Sequence, residues 1–364
     1  MTPLENSPQH DAKSSPVVNA ILVAAAFVIV IAGLQAAKSI VVPFLLAMFI
    51  GIIITSILDW LRTRGINTTS AAFLIISMLG MAGIFLIPLI AATINEFGQD
   101  LGDYQVTSRE RIRTLLDWAA SYGFKTSRDM EVQIFEYFAP GRSMASVLTS
   151  LTGVFNYAFM VFLMLAFMLL EWSKFAEKIE LLPGNTQQTL DRITELMTSI
   201  RQYMMIKTLV SMLTGGLIFL WLVALDQMVF DVRYILLWST LAFLLNFIPT
   251  IGSLVAGVLA TVFVLVQDGV VPAIHVSIAF LTVNTVIGNM LEPRIMGEGL
   301  GLSTLVVFLS LIFWGWVLGP AGMLLAVPLT MTCKIALATD QRTAWIAMLL
   351  SARVKKADPT QLRS

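Results

Sequence analysis

Charge is scarce in this chain. Of 364 residues, 13% are Asp, Glu, Lys or Arg, about half the usual share in soluble domains. The two signs cancel at 23 each, so no net field recruits a polyanion, and a basic nucleic-acid binder is excluded. Cysteine occurs once, at Cys333. A single thiol excludes both a disulfide framework and a cysteine-built zinc site. The two histidines are His10, in a polar head, and His275, near the start of an apolar run where a packed or interfacial imidazole is the ordinary reading. There is no HExxH and no GxxxxGK(S/T) loop, which sets aside metalloprotease chemistry and ATP-driven transport by this chain alone. A serine hydrolase elbow is also missing. The expectation is a protein that is not an enzyme and carries no cofactor or metal.

Apolar residues are abundant. They make up 57% of the chain, including 22 Phe, 19 Met and 8 Trp, and mean hydropathy is +0.83. Neither a water-soluble globule nor a disordered chain has such a composition. Apolar runs cover 17–34, 40–58, 71–94, 151–170, 208–225, 234–248, 251–266, 271–288, 302–318 and 321–337. A crossing helix needs about 20 such residues, whereas barrel strands alternate over about 10. Lipid offers peptide groups no partner, so each run must be helical. The fold class is an all-α, polytopic membrane bundle of eight to ten hydrophobic segments. Only Pro249 and Thr250 separate the sixth run from the seventh, and Pro328 interrupts the tenth. Re-entrant or broken helices are therefore expected in the C-terminal half.

Most basic residues fall on one side if both termini are cytoplasmic, and this imbalance sets the expected orientation of the chain. Six regions follow. Residues 1–16 form a disordered cytoplasmic head, and 17–95 hold three membrane helices. Residues 96–150 are a polar, periplasmic stretch of two or three amphipathic helices. There Ile112, Leu115, Leu116 and Ala119 recur at helical spacing, as do Val132, Phe135 and Phe138, with Gly123 and Pro140-Gly141 as punctuation. Residues 151–207 combine a membrane helix with an inner interfacial helix striped by Leu190, Ile193, Met197, Ile200 and Met204. That stripe reads either as a lever or as a helix that merely buries one face. Residues 208–337 are the dense core, and 338–364 a tail whose Trp345, Ile346, Leu349 and Leu350 precede Arg353, Lys355 and Lys356, a pattern suited to an anionic lipid surface.

Polar groups inside the dense core are the candidates for function. Around Pro249 stand Asn246, Thr250, Gly252 and Ser253. Proline removes a backbone donor and forces a break, and broken helices at membrane depth line cavities or binding sites; a tight interfacial turn is the alternative. A second cluster holds Asn284, Gly288, Asn289, Glu292, Pro293, Arg294 and Gly297. Asn284 and Gly288 share a helix face, and Glu292 closes the helix before Pro293, with Arg294 close enough to pair with it. Glu292 is the candidate proton carrier; the competing reading is a solvated surface pair with Arg294. Gly315, Gly319 and Gly322 provide close helix approach.

The segments Asn246–Gly252, Glu292–Gly301 and Gly319–Thr330, the last ending in a GxxGxxLAVPLT pattern, resemble the autoinducer-2 exporter family. The hydropathy layout is similar over nearly the whole chain, while the motifs lie in its last third. The resemblance implies an oligomeric inner-membrane secondary transporter that exports a small polar, furanone-type quorum-sensing signal, driven by a proton or sodium gradient. With the polar clusters above, the expected substrate path is Asn246, Pro249, Thr250, Gly252, Ser253, Asn284 and Asn289, with coupling at Glu292 and Arg294 and helix breaks or gates at Pro293, Gly297 and Pro328. A sodium/proton antiporter, and from another class a membrane scaffold without transport, are the competing functions.

Overall fold

The computed structural model describes residues 16–123, 157–180, 187–228, 232–249, 251–296, 302–339 and 343–351. Every regular element among them is helical. Helices α1 (Pro16–Ala36) and α2 (Lys38–Thr63) are followed by α3 (Thr68–Ser121), α4 (Ala158–Glu180) and α5 (Gln187–Met228). The C-terminal half comprises α6 (Ile235–Leu245), α7 (Gly252–Gln267), α8 (Val270–Val283), a π-helix π1 (Asn284–Leu291) and α9 (Glu292–Met296). It ends with α10 (Thr304–Leu318), α11 (Pro320–Leu324), α12 (Ala326–Thr339) and α13 (Ala344–Leu349).

Four stretches are long and apolar enough to cross a membrane: Lys38–Thr63, Thr68–Asp100, Met197–Gln227 and Val270–Ile295. Six shorter apolar helices accompany them, and together they match the ten hydrophobic runs. Two long helices outgrow the expected segments. The 54 residues of α3 run unbroken from the membrane stretch into the polar region and stop at Ser121, before Gly123 turns at φ 87°. The polar stretch thus begins as an extension of a membrane helix rather than as a separate one; residues 124–150, with Val132, Phe135 and Phe138, lie outside the described residues. Likewise α5 fuses the expected interfacial helix with the following span in 42 residues.

The C-terminal helices on either side of Val270–Ile295 are too short for single crossings. With 11 and 16 residues, α6 and α7 extend about 17 and 24 Å, against about 30 Å of hydrocarbon. They fold back on each other as a hairpin. A second hairpin joins α10 to α11 and α12 through Gly319 at φ 76°. Added methyls at Gly315 and Gly322 would meet Met323 Cγ at 2.7 Å and the Trp314 carbonyl oxygen at 2.1 Å. These glycines therefore serve a tight turn within the chain, not only approach between helices of different copies.

Packing divides between the hairpins. The first sits on α3, α5 and α8, where Phe97, Tyr234, Trp238 and Phe263 form an aromatic nest with centroids 5.0–5.9 Å apart. The second packs on α2 and the N-terminal half of α5. The hairpins touch where each is broken: Ile248, Leu311 and Ala326 form one buried cluster.

Candidate functional site

The first break is built by hydrogen bonding and by the lack of a side chain. α6 ends in a tightened turn, with Ile248 N donating to Leu245 O at 2.8 Å and Ile251 N to Pro249 O at 2.7 Å. The chain then passes so close beneath Leu245 that a methyl at Gly252 would lie 1.7 Å from its carbonyl oxygen. Glycine is the residue this return allows. The second break falls at Leu325, three residues before Pro328. Pro328 is buried in the first turn of α12, where proline is accepted; having no N–H, it leaves the Leu324 carbonyl without its helical donor.

The amides and hydroxyls at the first break face two ways. Asn246, 5% exposed, donates from Nδ2 to Ser211 Oγ on α5 at 3.0 Å. Pro249 is half-buried in the turn, and Thr250 lies outside the described residues. Ser253, on the opposite side, donates to Asn284 Oδ1 at 2.7 Å. That bond closes one end of a cleft of about 320 Å³ between α7 and α8. Gly257 and Phe280 form its waist, and the Thr261 and Ser277 hydroxyls, 3.1 Å apart, mark its other end. Exposed Leu254, Val258 and Leu281 rim it. Thr261 and Ser277 escaped the sequence reading because each sits in an otherwise apolar run. The available signal was the four-residue spacing of Ser253, Gly257 and Thr261, which aligns them on one helix face.

The second cluster departs from its expected form. The helix does not close at Glu292. It widens through π1, where Glu292 N donates to Ile287 O, and continues through exposed Pro293 into α9. A proline cannot donate to the carbonyl four residues back and its ring crowds it; the wider turn accommodates both. Asn284 opens π1 and reaches over Gly288, whose added Cβ would meet Asn284 Oδ1 at 2.9 Å. Asn289 is exposed, and Gly297 lies outside the described residues.

Glu292 takes a different partner from the one expected. Its Oε1 lies 2.5 Å from Nζ of Lys207 on α5, while Arg294 is exposed. The Lys207 side chain is 3% exposed and that of Glu292 17%, so the solvated Glu–Arg surface pair is replaced by a withdrawn ion pair. Sequence reasoning placed Lys207 at the end of an interfacial helix, among the cytoplasmic basic residues. The overlooked signal is its setting, since Tyr203–Ile206 and Leu209–Val210 are apolar or aromatic on both sides.

Lys207 belongs to a buried polar seam. Tyr203, Lys207, Ser211 and Thr214 are all at most 4% exposed and span about 80° of arc on α5 at 100° per residue. Tyr203 Oη and Thr214 Oγ1 have no hydrogen-bond partner, at a cost of about 1–3 kcal/mol each. An ionisable residue such as Lys207 in this setting, with open hydroxyls beside it on the same face, marks a candidate passage or ligand seat. Among the described residues no group of three or more His, Cys, Asp or Glu could hold a metal ion.

The three motif segments thus converge. Asn246–Gly252 meets Gly319–Thr330 through Ile248 and Ala326, and is linked to the Glu292 segment by way of α5, where Asn246 bonds Ser211 and Glu292 pairs with Lys207; the adjoining Ser253 and Asn284 bond each other directly. Comparison with known proteins gives the same direction. The family model described as "AI-2E family transporter" matches residues 20–340. The chain is 39% identical over 332 residues to a putative transport protein of Haemophilus influenzae, covering 90% of this chain and 94% of that relative. It is 38% identical over 334 residues to the AI-2 transport protein TqsA of Escherichia coli K12, covering 89% and 93%. Identity to the putative transport protein YhhT of the same strain is 34% over 326 residues, covering 90% and 92%.

Proposed function

The chain belongs to the AI-2E transporter family, and from that premise we propose that it is a secondary transporter of the bacterial inner membrane exporting a small polar signalling molecule of the autoinducer-2 type. The observation that carries this reading is the convergence of two broken hairpins beside a cleft with hydroxyls and an amide. A volume of about 320 Å³ lies at the lower end of the range for small-molecule sites. The cleft is mainly apolar, with a few uncharged hydroxyl and amide groups at its ends, which suits a small neutral solute, whereas an anionic one would call for a cation in the cleft.

Transport is driven by the proton gradient in this reading, with Glu292 as coupling carboxylate and Lys207 as its counter-ion. Both termini face the cytoplasm and the protein works as a homo-oligomer. Alternating access exposes the cleft in turn to each side of the membrane.

The test is the distribution of autoinducer-2 in cells that lack every related exporter and re-express this chain. External signal rises relative to internal with the wild-type protein, and the Ser253→Ala/Asn284→Ala variant, present in the membrane at equal level, reduces that rise. An unchanged ratio on re-expression rejects this substrate.

A further inference from the structure

Glu292 sits where a transporter could seat an alkali cation: a carboxylate withdrawn from solvent beside a break in regular helix. Oxygen atoms stand near it on α5. Tyr203 Oη, one turn before Lys207, is buried and has no hydrogen-bond partner, whereas Ser211 Oγ, one turn after it, already accepts from Asn246 Nδ2. Between these two turns projects the ammonium of Lys207, 2.5 Å from Glu292 Oε1. An ammonium and a sodium ion carry the same charge. Where water is excluded, two of them cannot share one carboxylate without strong repulsion.

We propose that Lys207 is a tethered counter-cation, filling the seat beside Glu292 that a sodium ion would otherwise take, so that the protein works without sodium and gains a sodium site when the ammonium is removed. The inference rests on the reading of Glu292 as the coupling carboxylate and adds the identity of the ion that this site refuses. Four features favour it over a purely structural pair. The cation is the end of a flexible side chain held by one helix, its partner belongs to another, the partner lies at a π-helix junction, and an unpaired hydroxyl remains beside them. A replaced ammonium therefore leaves behind the Glu292 carboxylate and the unpaired Tyr203 hydroxyl.

The experiment uses the purified full chain and sodium alone, with no transported solute. Binding of radioactive sodium and the melting temperature in sodium chloride against choline chloride are measured for the wild type, Lys207→Ala and Lys207→Ser. The expected result is a wild type indifferent to sodium and variants that bind sodium and melt higher in it. Adding Glu292→Gln to Lys207→Ala weakens that binding about tenfold or more. Sodium binding by the wild type overturns the proposal whatever the variants do, and so does a folded Lys207→Ala or Lys207→Ser protein that holds no sodium. Because no solute is present, a chain that exports some other molecule gives the same sodium result, so failure of the substrate assignment and failure of this inference are separable.

Discussion

The carbonyl oxygen of Leu245 occupies the place where a side chain at residue 252 would begin, only 1.7 Å from an ideal Cβ. The whole return of the first hairpin depends on this approach, since α7 starts at Gly252 directly beneath the last turn of α6. A Gly252→Ala protein must move backbone rather than a side-chain end. We expect a loss of more than about 3 kcal/mol of stability, read as a large fall in melting temperature and in folded yield from detergent. Gly216 on α5 has nothing within 4 Å of its added methyl. Gly216→Ala is the control, changing stability by no more than about 1 kcal/mol.

Gly288 gives a subtler case. An alanine there meets Asn284 Oδ1 at 2.9 Å, and the end of a flexible side chain can swing away. The movement costs the bond that Asn284 accepts from Ser253. Stability should fall by about 1 kcal/mol, while transport of the solute falls more. A double-mutant cycle checks the mechanism: Gly288→Ala added to Ser253→Ala does little further harm, because the bond is already gone. Additive losses reject the link.

Much of this site could be read along the chain and some could not, for a physical reason. Hydrophobic run length located the ten apolar helices found among the described residues, because lipid admits so little else. Pro249 and Gly252 announced their break because the constraints of proline and glycine are local. Lys207 was placed among cytoplasmic basic residues, since nothing in its neighbourhood names a carboxylate 85 positions away. The π-helix was hidden for a related reason. Glu292-Pro293 reads as a helix end, yet tertiary packing lets the turn widen and the helix go on.

The ion pair between Lys207 and Glu292 makes an asymmetric prediction. Glu292→Gln leaves a buried ammonium without its counter-charge, and breaking such a pair costs about 3–5 kcal/mol. Lys207→Met/Glu292→Gln removes both charges and should recover more than half of that loss. Proton-coupled transport should be absent from both proteins. Melting temperature therefore separates the two variants while transport does not. If the single variant is as stable as the wild type, the pair contributes little to the fold and its role is confined to transport.

At the other end of the hairpin, Tyr234 donates its phenolic proton to Asp100 on α3, and Arg233 Nη1 lies 3.8 Å from the same carboxylate oxygen. Tyr234 adopts a left-handed conformation at φ 59°, uncommon for a residue with a side chain, and its ring packs on Phe97 and Phe263. Burial, followed by the hydrogen bond to Asp100, pushes this phenol well above its ordinary value. A raised value means that the protonated, donating form is favoured in the folded protein. The tie is therefore fully present below the ordinary phenol value of about 10 and is lost only as pH rises through the higher folded value. The difference titration between wild type and Tyr234→Phe checks this: no phenolate signal from Tyr234 should appear near the ordinary phenol value of about 10. The same substitution should cost about 1 kcal/mol at neutral pH and loosen the joint between α3 and α6. A Tyr234 that titrates at the ordinary phenol value would show that the hairpin is not held to the long helix at this point.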